Sequence, residues 1–251
     1  MDRFGSSRLR IVWASICLLL AGLVLGGIQG FGGDGSQLMV FGAGIPVGFI
    51  SGDAKAWATE LLGRLIFSVV PGVILLGGIF PLGDWLGAGA RGERFTGLAL
   101  GTPLAFAHGL FLSQLAILPI LAASYRLLGN PLAPQILLAD TNAVLLGLEL
   151  LLWSAALGCL LKSNRGLAVL MAFGLQEVGR VMAWGGEFLG DLDVPKAAVK
   201  TMAFLGRALP STQLPSDPFA WKALPLSLGL PILLAAVLLL LPGKGPKRSR
   251  A

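Results

Sequence analysis

The sequence is poor in charged residues and has almost no histidine. Only 13% of its 251 residues are Asp, Glu, Lys or Arg, about half the share found in soluble domains. A single histidine excludes metal sites that need two or more, including the H-E-x-x-H type. Cys17 and Cys159 match no metal or redox spacing and are expected to act as small apolar residues.

Catalytic motifs are also missing. The chain has no G-x-x-x-x-G-K-[ST] loop, at which Gly243-Lys244-Gly245 only hints, so it cannot cradle ATP phosphates itself. It has no G-x-S-x-G nucleophile turn, and Phe31-Gly32-Gly33-Asp34 misses the G-x-G-D pattern of aspartyl intramembrane proteases. We therefore predict no catalytic residue, no bound metal and no cofactor, and we do not expect an enzyme.

Apolar residues dominate instead. They make up 55% of the chain, and the mean hydropathy is +0.81. A membrane-spanning helix needs roughly 20 mostly apolar residues. The sequence therefore predicts one domain over residues 1–251, an all-α bundle of six transmembrane helices. The predicted spans are Ile11–Ile28, Leu61–Leu82, Ala105–Leu128, Ile136–Leu161, Leu167–Phe188 and Leu224–Leu241.

Three stretches need separate interpretation. The first span is expected to be retained, because its end offers no clear small-x-small cleavage site. Leu38–Ile50 is too short to cross a bilayer and is expected to lie at the outer interface or to re-enter partway. In the longest outer connection, Asp191–Lys222, Pro210, Pro215 and Pro218 argue against a continuous helix.

The distribution of charge predicts the orientation. With the N-terminus inside, the inner loops and tails hold eleven basic residues against three acids, whereas the seven basic residues of the outer loops and outer span ends are offset by acids there. Basic residues collect on the cytoplasmic side of membrane proteins. Both termini are therefore predicted to be cytoplasmic, in the plasma (inner) membrane. The excess lies beside apolar runs, as in the tail 244–250, so we expect contact with anionic lipids and none with nucleic acid.

The segment between the second and third predicted spans is the most informative part of the chain. Two arginines flank a glutamate in Arg91-Gly92-Glu93-Arg94, and an apolar stretch containing Pro103 leads directly into the third span. Such a segment is expected to lie along the inner membrane surface, where a soluble partner can press on it. The alternative is an interfacial helix whose arginines contact only lipid headgroups.

The same segment resembles the permease subunits of ABC-2 type transporters. Glu93-Arg94-Phe95-Thr96-Gly97, followed by Thr102-Pro103, is similar to the E-R-x-x-G-T-type element and proline of that family. The order Thr96-Gly97 is reversed here, and Ser113-Gln114 replaces the usual lysine at the start of the third helix. Residues 155–163 resemble the small-residue end and basic turn of the family's fourth helix.

The resemblance implies a membrane half that binds a separate cytoplasmic ABC ATPase subunit through residues 91–104. Two such halves, as a homodimer or a heterodimer, would form the translocation path. The residues implied in coupling are Arg91, Glu93, Arg94, Thr96, Gly97 and Pro103.

Ionisable and amide side chains inside the predicted spans are the other candidates, because a charge at a helix centre is costly there. Glu177 and Arg180 are three residues apart and can pair on one helix face, beside Gln176. They either lock the helix to its neighbours or line a path. Glu149 has no partner nearby in sequence and is expected to be protonated, paired with Arg180, or in contact with substrate.

Other polar residues receive plainer roles, with His108 expected to form interfacial hydrogen bonds and Asp140 and Asn142 expected to reach interfacial water. A scaffold or assembly subunit of a membrane complex has the same expected topology and is the alternative function. An adjacent gene for an ATPase would favour transport over that alternative.

Overall fold

The chain is mostly helical, with one small sheet near its N-terminus. The structure is a computed structural model that describes residues 3–32, 36–47, 53–87, 91–160, 165–190, 195–210 and 224–240, with the backbone alone for 3–7, 80–87, 91–99 and some helix ends. The helices and strands are α1 (Arg3–Gly27), β1 (Ile28–Phe31), β2 (Gln37–Val40), β3 (Ala43–Pro46), α2 (Ala54–Gly87), α3 (Arg91–Ala116), α4 (Leu118–Leu128), α5 (Pro134–Leu160), α6 (Arg165–Gly190), α7 (Lys196–Ala208) and α8 (Leu224–Leu240).

Within the described residues, five helical stretches are long and apolar enough to cross a membrane. They are Arg8–Gly27, Ala54–Ile79, Leu100–Leu128, Pro134–Cys159 and Gly166–Gly186. Each overlaps one of the first five predicted spans, and together they indicate a multi-pass membrane protein. The sixth predicted span, Leu224–Leu241, falls on α8, of which the structure describes 17 residues, and the residues on either side of it are not described. The number of spans and the side of the termini therefore stay predictions.

The all-α prediction needs a correction at residues 28–46, which form a three-stranded antiparallel sheet in the order β1-β2-β3. β2 and β3 are joined by Phe41 and Gly42, whose φ angles are 49° and 79°. Two-residue hairpin turns favour positive φ at both positions because the backbone then follows the twist of the strands. The Phe41 N–H donates to the Gly27 carbonyl oxygen at 2.7 Å, so the hairpin folds back onto the end of α1.

The contacts divide the chain into two units. The first contains α1, the sheet, residues 54–78 of α2, 105–116 of α3, α4 and residues 134–148 of α5. α1 packs against α4, and most of its remaining side chains are exposed, as expected for a helix surrounded by lipid. The core of this unit is a cluster of buried apolar side chains, namely Leu62, Ile66, Val70, Ile74, Ile117, Ile120, Ala123, Ala133, Ile136 and Ala143.

Glycines let the helices of this unit approach closely. A Cβ at Gly109 of α3 would lie 2.4 Å from the Ile74 carbonyl oxygen of α2. A Cβ at Gly147 of α5 would lie 2.7 Å from Cδ1 of the same isoleucine. Ile74 therefore lies against glycines of two other helices. Small residues at such crossings are typical of membrane helices, because van der Waals packing rather than the hydrophobic effect holds the helices together.

The second unit contains the remaining parts of α2, α3 and α5, together with α6, α7 and α8. The sequence predicts no helix at α7, yet the helix is complete before Pro210 is reached. α7 runs antiparallel to α6, since a Cβ at Gly186 would contact Ala203, one at Gly206 would contact Ala183, and one at Gly179 would lie 2.4 Å from the Pro210 carbonyl oxygen. Pro215 and Pro218 of this connection lie outside the described residues.

Replacing Gly109 tests the crossing of α2 and α3. We expect Gly109→Ala to lower the stability of the detergent-solubilised protein by about 1–3 kcal/mol, because the new methyl group overlaps backbone atoms that cannot rotate away. The thermal midpoint of the monodisperse fraction measures this effect. Gly22→Ala is the matched control, since no atom lies within 4 Å of a Cβ there. Equal midpoints for the two variants would show that the crossing is looser than described.

Candidate functional site in the membrane-type helices

The predicted coupling segment is helical. Its backbone belongs to α3, which continues from Arg91 to Ala116 with Pro103 inside the helix. A proline in a helix interior removes one backbone hydrogen bond and often produces a kink, yet no break in helical structure occurs there. The backbone is therefore helical on both sides of Pro103.

The structure describes only part of the side chains of that segment. Those of Arg91, Glu93, Arg94 and Thr96 lie outside the described side chains, as does the surface at Gly97. Pro103 is described and exposed. The coupling role of these residues stays a prediction that rests on sequence alone.

Glu177 and Arg180 form the predicted ion pair on α6. Arg180 Nη2 lies 2.6 Å from Glu177 Oε2 at the (i, i+3) spacing, and the two side chains are 55% and 56% exposed, respectively. Both residues lie within the candidate span Gly166–Gly186. Charged side chains in a span normally face the protein interior or a water-filled cavity. This pair instead faces outward from the chain.

The surface around the pair is otherwise apolar and open. Gly174 has no atom within 4 Å of where a Cβ would stand. Val181 and Trp184 are more than half exposed, and the Trp184 ring stacks on that of Phe188 with centroids 5.2 Å apart. Spacings of three and four residues place these side chains on one face of the helix with Glu177.

The other two predicted path residues are buried. Glu149 on α5 and Gln176 on α6 are each 9% exposed. Within the described part of the chain, Gln176 Oε1 has no hydrogen-bond partner, and the same holds for Trp153 Nε1 and Ser154 Oγ of α5. The three alternatives for Glu149, namely a protonated carboxyl, pairing with Arg180 and contact with substrate, stay predictions.

His108 links three helices, a contact that the sequence does not reveal. Its Nδ1 lies 2.7 Å from the Gly77 carbonyl oxygen of α2, and Nε2 lies 3.0 Å from Nε of Arg10 on α1. A carbonyl oxygen can only accept, so Nδ1 carries the proton and Nε2 accepts from Arg10. Three residues further along α1, Trp13 Nε1 donates to the Leu112 carbonyl oxygen at 3.1 Å. The predicted hydrogen-bonding role of His108 is confirmed in this form.

A second polar contact connects α3 and α5. Gln114 Nε2 lies 3.3 Å from both carboxylate oxygens of Asp140, and Asp140 is only partly buried, so its predicted contact with interfacial water stays a prediction. Asn142 is buried at 7% exposure, and the same prediction is wrong for it. The only signal in the sequence is that Gln114 and Asp140 both fall inside apolar stretches, since partners 26 residues apart cannot be inferred from local spacing.

Comparison with known proteins finds no matching family model, no matching curated protein and no matching solved structure. Among the described residues, no group of three or more His, Cys, Asp or Glu side chains is placed to hold a metal ion.

The bond between Arg10 and His108 can be tested with a double-mutant cycle. We expect Arg10→Ala and His108→Ala each to destabilise the protein, and their effects to fall short of additive by about 0.5–1.5 kcal/mol, the net value of one hydrogen bond. Unfolding of the purified protein in mixed detergent micelles provides the measurement. Arg8→Ala is the matched control, because Arg8 is also an exposed arginine of α1 and should be additive with His108→Ala. Additivity in both cycles would mean that the bond contributes nothing.

Proposed function

We propose that this protein is the membrane-spanning permease subunit of an ABC transporter of the ABC-2 type, driven by a separate ATPase subunit. The support is of three kinds. Five helices are long and apolar enough to span a membrane, the sequence contains no nucleotide-binding loop of its own, and Glu93–Gly97 with Thr102-Pro103 resembles the family's coupling element.

The observation that carries the proposal is the outward-facing ion pair of α6. Facing lipid, Glu177 and Arg180 would each incur roughly 2.5–3.5 kcal/mol on insertion scales, less what they recover by pairing. A surface of this kind is better explained if α6 borders a hydrated path or a second membrane subunit. In the proposed function it does both, because the path forms between two permease subunits.

The proposed coupling is mechanical and uses α3 as the moving part. The ATPase binds the inner end of α3 at residues 91–104, and Glu93 and Arg94 pair with charged residues of the ATPase. Because α3 is one helix from Arg91 to Ala116, a displacement of its first turns is passed to its second half. That half is bonded to α1 through His108 and to α5 through Gln114. The motion therefore reaches the helices of the first unit.

The remaining parts of the proposal follow from the sequence. Six spans with both termini in the cytoplasm place residues 91–104 on the side where the ATPase and its nucleotide are found. The plasma (inner) membrane is the proposed location, and the second subunit is another copy or a related permease.

Charge reversal tests the coupling segment. The double variant Glu93→Arg/Arg94→Glu should abolish co-purification with the ATPase encoded beside the permease gene and should remove stimulation of its ATPase rate. The matched control reverses Glu60→Arg/Arg64→Glu, an exposed (i, i+4) ion pair of α2 on the opposite predicted side, and should leave both readouts unchanged. Normal ATPase binding by the first variant would remove the coupling role and favour the scaffold alternative.

Accessibility to water tests the path. In a background with Cys17→Ala and Cys159→Ala, we expect Val181→Cys to react with a membrane-impermeant thiosulfonate at least tenfold faster than Leu19→Cys. Both positions are exposed in the chain, at 55% and 63%, but only Val181 lies on the face of α6 that carries the intact ion pair. The rate of labelling in membrane vesicles is the readout. Equally slow labelling at both positions would exclude a hydrated path at α6.

A further inference from the structure

The outer face of α7 carries a row of positive charge. Lys196, Lys200 and Arg207 are all exposed, and spacings of four and seven residues place them within an arc of about 40° around the helix. The helix sequence KAAVKTMAFLGRA contains no acidic residue. Lys196 also occupies the first turn, where the helix dipole disfavours a cation. Helix stability therefore accounts for Arg207 in the last turn but not for the two lysines.

The packing of α7 on α6 gives the depth of each cation. Ala203 lies level with Gly186, where the apolar stretch of α6 ends, and Gly206 lies level with Ala183 inside that stretch. At 1.5 Å per residue, the Lys200 Cα lies about 4–5 Å beyond the end of the apolar stretch. The headgroup layer is roughly 5–7 Å thick on each side of a bilayer. Lys200 therefore stands at headgroup level.

The two neighbouring cations can reach the same layer. The Lys196 backbone is one turn further out, and its long side chain can extend back toward the headgroups. The Arg207 backbone is about 6 Å below the end of the apolar stretch, and its side chain can extend outward while its methylene groups remain in apolar surroundings. All three charges can thus lie in one plane parallel to the membrane.

Apolar side chains accompany the cations at the deeper end of α7. Phe204 is 55% exposed and Leu205 is 37% exposed, and both belong to the half of the helix that lies beside the apolar stretch of α6. A helix with basic residues at headgroup level and exposed aromatic and aliphatic residues below them matches an anionic lipid surface in both charge and polarity.

We propose that the row Lys196, Lys200 and Arg207 of α7 binds the phosphate groups of anionic phospholipids in the adjacent leaflet. The lysines supply mobile point charges, and the guanidinium of Arg207 can bind two phosphate oxygens at once. The acyl chains of the same lipid lie against Phe204, which is on the neighbouring part of the helix surface. This inference depends on α7 being beside the membrane and does not depend on the transport function.

The test compares two lipids on the full-length protein. Native mass spectrometry of the detergent-solubilised chain, titrated with phosphatidylglycerol or phosphatidylcholine, gives the affinity ratio of the two. Juxtamembrane cations contribute about fivefold each to the binding of anionic lipids. Lys200→Gln/Arg207→Gln should therefore lower the preference for phosphatidylglycerol by at least tenfold, whereas Arg207→Lys should retain most of it.

A matched control removes the same two residue types elsewhere. Lys55→Gln/Arg126→Gln also removes one lysine and one arginine, both exposed, and should keep the wild-type preference. The proposal is overturned if the control loses the preference equally, which would indicate a general charge effect, or if Lys200→Gln/Arg207→Gln keeps it. If that double variant does not fold, the single variants Lys200→Gln and Arg207→Gln decide the question, since each should lower the preference several-fold.

Inorganic phosphate separates a lipid site from a site for a free anion. At 10 mM it should displace little phosphatidylglycerol, because it lacks the acyl chains that contact Phe204. Complete displacement would overturn the lipid assignment in favour of a free-phosphate site. Phe204→Ser should weaken the binding of phosphatidylglycerol several-fold and leave any binding of phosphate unchanged.

Discussion

The close approach of helix backbones at glycines is the contact on which the described structure depends. In a bilayer, lipid chains are as apolar as the side chains of the protein, so helices gain little by hiding apolar surface from one another. Their attraction comes from dispersion forces, which fall away within fractions of an ångström. Gly109 allows α3 to lie directly against the backbone of α2 at Ile74. On α5, Gly147 leaves room for the side chain of Ile74. Any larger side chain at these points would separate the helices and forfeit many contacts.

The polar contacts of the first unit depend on that approach. The His108 ring can reach the Gly77 carbonyl oxygen, at 2.7 Å, because the neighbouring Gly109 has already brought α3 against α2. A helical carbonyl already accepts a bond from its own helix, so the imidazole uses its second lone pair. The contact with Arg10 then extends the link to α1, which also packs against α4. The hydrogen bonds of His108 therefore depend on the close packing of α3 against α2.

The sequence predicts the features that depend on neighbours along the chain. The five long spans follow from uninterrupted apolar runs, and the pairing of Glu177 with Arg180 follows from their spacing. Contacts between residues far apart in the chain cannot be predicted from local patterns. Arg10 and His108 are 98 residues apart, and no sequence feature near either residue indicates the other as its partner. Likewise, residues 37–46 are apolar and include Gly42 and Gly44, a pattern that fits either irregular chain at the interface or a strand. The pairing of β2 with β3 makes these residues strands.

The sequence misses α7 for a separate reason. The packing of α7 on α6 also explains why the ion pair of α6 faces outward. The 13 residues of α7 are too few and too polar on one side to register as a span, and the prolines that suggest irregular structure begin only after the helix ends. Yet α7 occupies one face of α6, where Gly179, Ala183 and Gly186 lie against it. Residues 177, 181 and 184 point to the opposite side, because they are offset from that face by about half a turn. α6 cannot turn its charges toward α7 without replacing glycine contacts by an arginine and a glutamate. The same packing that positions the cations of α7 therefore presents the ion pair of α6 to whatever lies beyond the chain.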